Sequence, residues 1–288
     1  MDFDAALAQA WNDHADHPQA VATRWPALQS LAADEPRVER LAALMLHVHG
    51  VHLGEWQAGA DALQGLRTLS AFRDDGSSGQ SLRRALASLA LCADRAATSD
   101  TLSASDRIRV GAMAADNLNL HDPARAATLL RQTLELAEHS ALADDDPMHR
   151  AVATVTHNLA CTLADKPDRS ADERALMILA AQASRRHWGH AGTWLNVERA
   201  EYRLAMTWLR AGDLAQARQH AQACLDIVEA NAGAALERLF GWEALGLVER
   251  AAGHRAEHAR ALEKARAAFT ELSADDQAWC RASLDKLA

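Results

Sequence analysis

The sequence predicts an all-α protein built as a right-handed α-solenoid, in which antiparallel helix pairs stack on one another. Composition is the first observation: the 288 residues are 49% hydrophobic but only 5% aromatic, and the apolar set is rich in Ala and Leu, which enter helices at little cost. The second observation is an internal repeat over residues 201–265. In each half, a helix with large and small apolar residues reaches a glycine turn, and a second helix returns with small residues facing back.

The small residues of this repeat have a mechanical role. Ala217 and Ala221 give the second helix of the pair small side chains, which allows the two antiparallel helices to approach closely around the turn at Gly212. A pair of this kind cannot cover its own apolar face and must stack on another pair. We therefore expect about five or six stacked pairs along the chain.

Apolar spacing predicts the other helices in chain order, over 3–13, 19–33, 38–53, 58–72, 81–96, 108–120, 124–139, 148–164, 171–188 and 275–287. Pro26 predicts a kink in the second helix or a later start near Thr23. Ser105-Asp106 is the expected N-cap of the sixth helix, and Pro123 suits the first turn of the seventh.

The segments between these helices also carry predictions. Residues 73–80 are rich in Asp, Gly and Ser and form the best candidate for a mobile loop. Residues 98–105 form a polar linker, and the acidic run 144–147 caps the helix that follows. The turn at Gly54 resembles the one at Gly212. Helix 81–96 is either an insertion or the sign of a shifted pairing in the N-terminal third.

The predicted organisation is one continuous solenoid with three segments. Residues 1–80 hold N-terminal helices that form a divergent repeat or cap, and residues 81–273 hold the helical repeats. Residues 274–288 form a C-terminal capping helix, whose Trp279 needs burial against the preceding unit.

The residues from Leu204 to Ala221, together with Trp242, Leu245-Gly246 and Gly253, resemble tetratricopeptide repeats. The resemblance is good for these two units, fair over 113–130 and 159–179, and weak before residue 80. The glycines of the two turns lie 41 positions apart (253 − 212), against ~34 in that family. The aromatic residue expected near Ala221 is absent. Because the longer period overlaps that of HEAT and armadillo repeats, a different α-solenoid family is retained as an alternative.

The resemblance implies that the first helix of each unit lines a concave groove that holds an extended or helical peptide. The matching positions are Asp116, Asn119, His157, Asn158, Arg199, Tyr202, Arg203 and Glu243. Asn158 is the preferred anchor, because an amide both donates and accepts hydrogen bonds. Arg199 and Arg203, four residues apart, could hold a carboxylate together. The alternative is that these residues are only the solvated face of half-buried helices.

Histidine patterns raise the question of a metal site. His254, Glu257 and His258 have the H-x-x-E-H spacing of inverted zinc metallopeptidases. His254 falls at a turn, however, and His258 occupies the repeat position of the packed Ala217. Ordinary packing is therefore the preferred interpretation.

A second group of histidines, His47, His49 and His52, looks like a cluster in the sequence. At about 100° per residue in an α-helix, only His49 and His52 share a face, and a lone pair makes a poor metal site. The same interpretation applies to polar residues near helix ends: Asp13, His14, Asp16, His17, His187 and His190. The sequence thus predicts no metal, no cofactor and no catalytic residue.

Charge and cysteine usage limit the classes of partner. The net charge is −9, and the 30 Lys and Arg residues are scattered, whereas nucleic acids and anionic membranes require a basic face. No window approaches ~18 uncharged apolar residues, and the first ten residues lack the pattern of a secretory signal. The four cysteines lie far apart in apolar helical patterns, which predicts reduced, buried thiols and a cytoplasmic location.

These observations predict a cytoplasmic protein–protein interaction module, not an enzyme, that binds a protein or peptide segment in its groove. The acidic balance favours basic or neutral partners, and a homodimer is compatible with the sequence. The alternative is a regulatory domain that senses a ligand or signal peptide through a change in superhelical pitch. A less favoured hypothesis is a zinc-dependent hydrolase that uses His254, Glu257 and His258.

Overall fold

The computed structural model describes residues 2–95 and 102–288, and these ranges contain helices but no strand. The predicted all-α class is therefore confirmed. The chain forms two compact units, 1–143 and 144–288. Within each unit, successive helices pack against their neighbours as in an α-solenoid. Residues 98–101 of the predicted linker and the last residue of predicted helix 81–96 lie outside the described residues.

Eight α-helices make up the described part of the first unit: α1 (Phe3–Asp13), α2 (Pro18–Ala22), α3 (Trp25–Leu31), α4 (Glu35–His47), α5 (Trp56–Gln64), α6 (Ser77–Cys92), α7 (Ala104–Leu118) and α8 (Pro123–His139). A π-helical segment, Val48–Leu53, continues α4, and a 3₁₀ turn, Gly65–Thr68, continues α5. Helix α6 packs against α4, α5 and α7, so it connects the N-terminal helices to the α7/α8 pair.

The core of the first unit is a continuous apolar cluster beneath α1 to α6. Its largest fully buried side chains are Leu7, Leu28, Leu41, Leu44, Met45, Leu63, Leu66, Leu82 and Leu89. Each buried side chain of this size contributes about 1.5–3 kcal/mol relative to leaving it in water. This burial holds α1 and α4 in place. The C-terminal ends of the two helices lie side by side, with the rings of His14 and His47 5.0 Å apart.

The stretch predicted as a mobile loop, residues 73–80, is only half irregular, because α6 already begins at Ser77. The carboxylate of Glu35 accepts hydrogen bonds of 2.9 Å from both the backbone N–H and the hydroxyl of Ser78. The Ser78 side chain is buried as a result. A partner 43 positions away in the sequence therefore turns a loop-like composition into the start of a helix.

Two helix starts in the first unit refine the predictions. The predicted helix 19–33 is divided into α2 and α3, and Pro26 lies in the first turn of α3, so the later start is the correct alternative. Helix α7 is capped by Ser103, whose hydroxyl accepts from the N–H of Asp106, and not by the predicted Ser105. Pro123 opens α8 as predicted.

The second unit contains seven helices: α9 (Pro147–Asp165), α10 (Ala171–Ala191), α11 (Trp194–Ala211), α12 (Leu214–Ala230), α13 (Ala235–Ala251), α14 (Arg255–Thr270) and α15 (Ala274–Leu287). They form three antiparallel pairs, α9/α10, α11/α12 and α13/α14, and α15 packs on the last pair. Trp279 of α15 is 68% exposed, so its expected burial is wrong; it meets only the edge of the stack through Phe240, at a ring distance of 5.6 Å.

The two glycine turns of the predicted repeat have the same geometry. Gly212 and Gly253 both adopt positive φ, at 87° and 75°. In each turn the N–H after the glycine returns to a carbonyl five residues earlier, from Asp213 to Trp208 at 3.0 Å and from His254 to Glu249 at 2.9 Å. This is the Schellman arrangement, which satisfies the last carbonyls of a helix and favours glycine.

Small buried residues line the returning helices, as predicted, with Ala217, Ala221 and Cys224 in α12 and Ala261 and Ala265 in α14. All four cysteines are free thiols; Cys161 is half-buried and the other three are buried. The close packing of helix pairs in the second unit therefore follows from the small side chains that the sequence places at these positions.

Candidate functional site

The predicted groove residues of the second unit lie on its first helices, α9, α11 and α13, and α11 packs against both others. We use the name first-helix face for the surface formed by His157, Asn158, Cys161, Arg199, Tyr202, Arg203 and Glu243. All but Cys161 were predicted from the resemblance to tetratricopeptide repeats. The structure thus places polar side chains from three consecutive pairs along one layer of helices.

A hydrogen bond links α11 to α13 on this face. The hydroxyl of Tyr202 donates to the Glu243 carboxylate at 3.1 Å. Burial raises the pKa of Glu243, against the lowering effect of the Tyr202 hydrogen bond. Burial and the neighbouring carboxylate also raise the pKa of Tyr202, which stays a neutral donor. The two side chains therefore form a largely desolvated polar link at the base of the face.

Arg203 provides the cationic group of the first-helix face. It lies beside His157, whose pKa is lowered to about 4 by burial and further by the positive charge of Arg203. Burial raises the pKa of Cys161, and Arg203 opposes this effect through its positive charge and a side-chain hydrogen bond. At neutral pH both neighbours are uncharged. The Nε atom of Arg203 is buried and makes no hydrogen bond within the described residues.

Arg199 and Asn158 are exposed on the same layer. The guanidinium of Arg199 lies 3.6 Å from the carboxylate of Glu237, which turns it towards a neighbour of its own unit. The predicted joint clamp of Arg199 and Arg203 is therefore not assembled in this structure. Asn158 has its amide on the surface, where it can contact a peptide backbone.

The groove residues predicted in the first unit are engaged with each other. The Asn119 amide donates to the carbonyl of Asp116 and, at 3.3 Å, to its carboxylate. Asn119 is fully buried, and burial raises the pKa of Asp116 to about 7. These contacts close the C-terminal end of α7 and leave the Asn119 amide inaccessible.

The histidines of the H-x-x-E-H motif have partners other than each other. Nδ1 of His254 lies 2.8 Å from the Glu249 carboxylate, which also receives two hydrogen bonds of 2.7 Å from Arg218. Nδ1 of His258 lies 3.0 Å from the carbonyl of Gly246. His254 precedes α14 as its N-cap. His254 therefore lies in a turn, whereas His258 packs from α14 against the carbonyl of Gly246.

The histidines around residue 50 are arranged differently from the α-helical expectation. His49 is buried and accepts a 3.1 Å hydrogen bond from the indole of Trp25. His52 meets His47 instead, with 3.2 Å between their Nε2 atoms. Residues five apart are about 140° apart around an α-helix, but the i→i+5 bonding of a π-helix brings them to one side. The predicted shared face of His49 and His52 is therefore wrong.

His14, at the end of α1, completes this group. Its ring centroid lies 5.0 Å from that of His47 and 4.9 Å from that of His52. One nitrogen from each of the three half-buried rings lies within 4.8 Å of the others. A second group forms in the other unit, where His149 contacts His187 at 2.9 Å between Nδ1 atoms and stacks on His190 at 4.4 Å. From the sequence, His14 was interpreted only as part of a polar helix end, and His149 was not singled out.

The second unit also contains a cavity of about 430 Å³ between α12 and α13. Leu225, Val228 and Trp242 provide apolar lining, and the charged residues Glu229 and Arg238 also line the cavity. Arg238 forms an ion pair with Glu271. The cavity is large enough for a small organic molecule.

Comparisons with protein-family models, with curated proteins and with solved structures found no match to this chain. None of the helices in the described ranges is long and apolar enough to cross a membrane.

Proposed function

We propose that this protein is a cytoplasmic interaction module of the tetratricopeptide type, which binds a peptide or protein segment along the first-helix face. The observation that carries the proposal is the state of Arg203. Its guanidinium lies beside two uncharged groups, His157 and Cys161, and shares a side-chain hydrogen bond with the Cys161 thiol, whereas its buried Nε has no hydrogen-bond partner in the described part of the chain. A buried donor without a partner costs about 1–3 kcal/mol, which a ligand carboxylate would recover.

The occupant is a peptide that presents one carboxylate to Arg203 and a backbone amide to Asn158. Arginine binds carboxylates with charge-assisted hydrogen bonds, and an asparagine amide can donate to and accept from a peptide unit. The rest of the peptide is neutral or basic, because the chain carries a net charge of −9. Helices packed in fixed register hold these side chains in place, so little conformational entropy is lost on binding.

The experiment is selection of a random peptide library on the full chain, followed by affinity measurement with labelled peptides. Arg203→Ala should weaken binding by about tenfold to 100-fold, the range of a lost charged hydrogen bond, and Asn158→Ala by up to about tenfold. Matched controls are Arg266→Ala and Gln219→Ala, which remove exposed side chains from α14 and α12. Unchanged affinity in Arg203→Ala and Asn158→Ala would contradict the proposal.

The cavity between α12 and α13 favours a second candidate, a regulatory domain that senses a small ligand. A molecule that fills this space would contact both pairs of the repeat and bias their relative packing. A compound collection can be screened by thermal shift, and each hit examined by small-angle scattering. If this function is correct, a compound that binds will change the compactness of the wild-type protein, and Trp242→Ala will abolish that change. Hits that leave the scattering curve unchanged would argue against it.

A further inference from the structure

Three histidines from three different elements converge in the first unit. His14 is the residue after α1, His47 ends α4, and His52 lies in the π-helical segment. The centroids of their rings form a nearly equilateral triangle with sides of 4.9 to 5.0 Å. Among the described residues 2–95 and 102–288, this is the one group of three or more His, Cys, Asp or Glu residues with ligand atoms close enough to share a metal ion.

We propose that His14, His47 and His52 bind one Zn²⁺ ion through three imidazole nitrogens, with a water molecule as the fourth ligand. Two nitrogens that bind the same tetrahedral zinc ion at about 2.0–2.1 Å are about 3.3 Å apart. The Nε2 atoms of His47 and His52 lie 3.2 Å apart. One edge of the coordination tetrahedron is therefore already present.

The third ligand is oriented by a contact typical of metal-binding histidines. Nδ1 of His14 faces the carbonyl oxygen of Trp11 and donates to it. This hydrogen bond fixes the tautomer in which Nε2 keeps its lone pair for the ion. The Trp11 ring packs against His14 and His47, at 5.1 and 5.4 Å between centroids, and so limits the motion of both imidazoles.

The ligand set selects the class of metal. Three imidazoles suit zinc and similar transition ions, whereas magnesium and calcium require oxygen ligands. The adjacent carboxylate, Asp13, forms a 2.7 Å ion pair with Arg24 and is not available as a fourth ligand. Three protein ligands and one open position occur in zinc sites that bind water or substrate, in contrast to closed structural sites with four protein ligands.

The π-helical segment is the structural cause of the site. Its i→i+5 bonding places His52 beside His47, and its backbone is held by the first unit. The ring nitrogen Nε2 of His121 lies 2.9 Å from the carbonyl of Val51, and Gly50 packs so closely on Asn117 that a Cβ atom would lie 2.3 Å from the amide oxygen. π-Turns inside helices are frequent at functional sites.

The test is titration of the chelator-treated full chain with Zn²⁺, followed by calorimetry and by competition with a chromophoric chelator. We expect one equivalent to bind. His14→Gln and His47→Gln should each lower the affinity by at least about 100-fold, because each removes a direct ligand, and loss of a group that only orients a ligand already costs up to about 100-fold. His190→Gln is the matched control, since His190 belongs to the other histidine group and is exposed; it should bind as the wild type does.

A wild-type stoichiometry well below one equivalent would overturn the proposal, and so would wild-type affinity in either His14→Gln or His47→Gln. Thermal melts in chelator verify that each variant folds. If His47→Gln does not fold, His14→Gln decides alone, because His14 lies at a helix end outside the buried core. Cobalt substitution gives an independent readout: a tetrahedral site produces visible absorption bands that His14→Gln should lose. The result does not depend on peptide binding in the second unit.

Discussion

Tyr202 and Glu243 occupy equivalent positions in consecutive helix pairs, 41 residues apart, and share a 3.1 Å hydrogen bond. Gly212 and Gly253 have the same separation. The link therefore follows the repeat itself: the first helix of one pair donates and the first helix of the next accepts. It fixes the spacing of α11 and α13 under the face that we propose as the peptide site.

Glu243→Gln should change how stability depends on pH. Because burial raises the folded-state pKa of Glu243 above its ordinary value of 4.5, the unfolded chain loses this proton first as the pH rises. The stabilisation that the folded chain gains from the protonated carboxyl is fully present below pH 4.5 and is lost as the pH rises through the folded-state pKa. The variant carries no such loss. We therefore expect the free energy of unfolding of the wild type to fall relative to that of Glu243→Gln as the pH rises above 4.5.

Urea unfolding at several pH values measures this difference. Glu263→Gln, at an exposed position of α14, is the control and should follow the wild-type pH dependence. A constant difference between wild type and Glu243→Gln across the range would mean that the carboxyl titrates alike in the folded and unfolded chains.

Gly212→Ala should destabilise the second unit by about 1–2 kcal/mol, the cost of a left-handed conformation for a residue with a Cβ atom. Gly212 has φ of 87° and no atom near the added carbon, so the penalty is conformational and not steric. Gly189→Ala provides the opposite case. This residue lies inside α10 with only the Arg185 side chain nearby, and alanine should add about 0.5–1 kcal/mol. Chemical denaturation of both variants measures the two changes in the free energy of unfolding. Changes of the same sign in Gly212→Ala and Gly189→Ala would contradict the turn geometry.

Ser78→Ala should lower the free energy of unfolding by about 1–2 kcal/mol, because it removes a buried hydroxyl that donates to the Glu35 carboxylate and accepts from the backbone N–H of Arg73. Ser70→Ala, at an exposed position of the same unit, should stay within about 0.5 kcal/mol of the wild type. Hydrogen exchange at residues 77–80 offers a local readout. Exchange as fast as in an unstructured peptide in the wild type would support a mobile loop instead.

The sequence was most informative where structure is local. The glycines at 212 and 253 and the alanines at 217 and 221 predicted the turns and the close packing of the repeat, because φ requirements and side-chain size act within one helix pair. Composition was enough for the all-α class. The sequence also placed Asn158, Arg203 and Glu243 on the first helices of the second unit, where the structure has them; their role in a groove stays a prediction.

Long-range partners could not be read from the sequence. Residues 77–80 look like a loop until Glu35 is placed beside Ser78, and Arg199 looks available until Glu237 is placed 3.6 Å away. The histidine group was missed for another reason: an α-helical spacing of about 100° per residue predicts the wrong faces here, because residues 48–53 form a π-helix. A run of three histidines within six residues, with a fourth at the end of a preceding helix, was the available signal.

The most direct test of the proposed peptide site is a double-mutant cycle between Arg203→Ala and replacement of the selected peptide's carboxylate by an amide. Each single change should weaken binding. If the guanidinium holds the carboxylate, the two changes together should cost less than their sum by about 1.4 kcal/mol or more, a factor of at least about ten in the dissociation constant. Strict additivity of the two changes would show that Arg203 does not contact the carboxylate and would contradict the account.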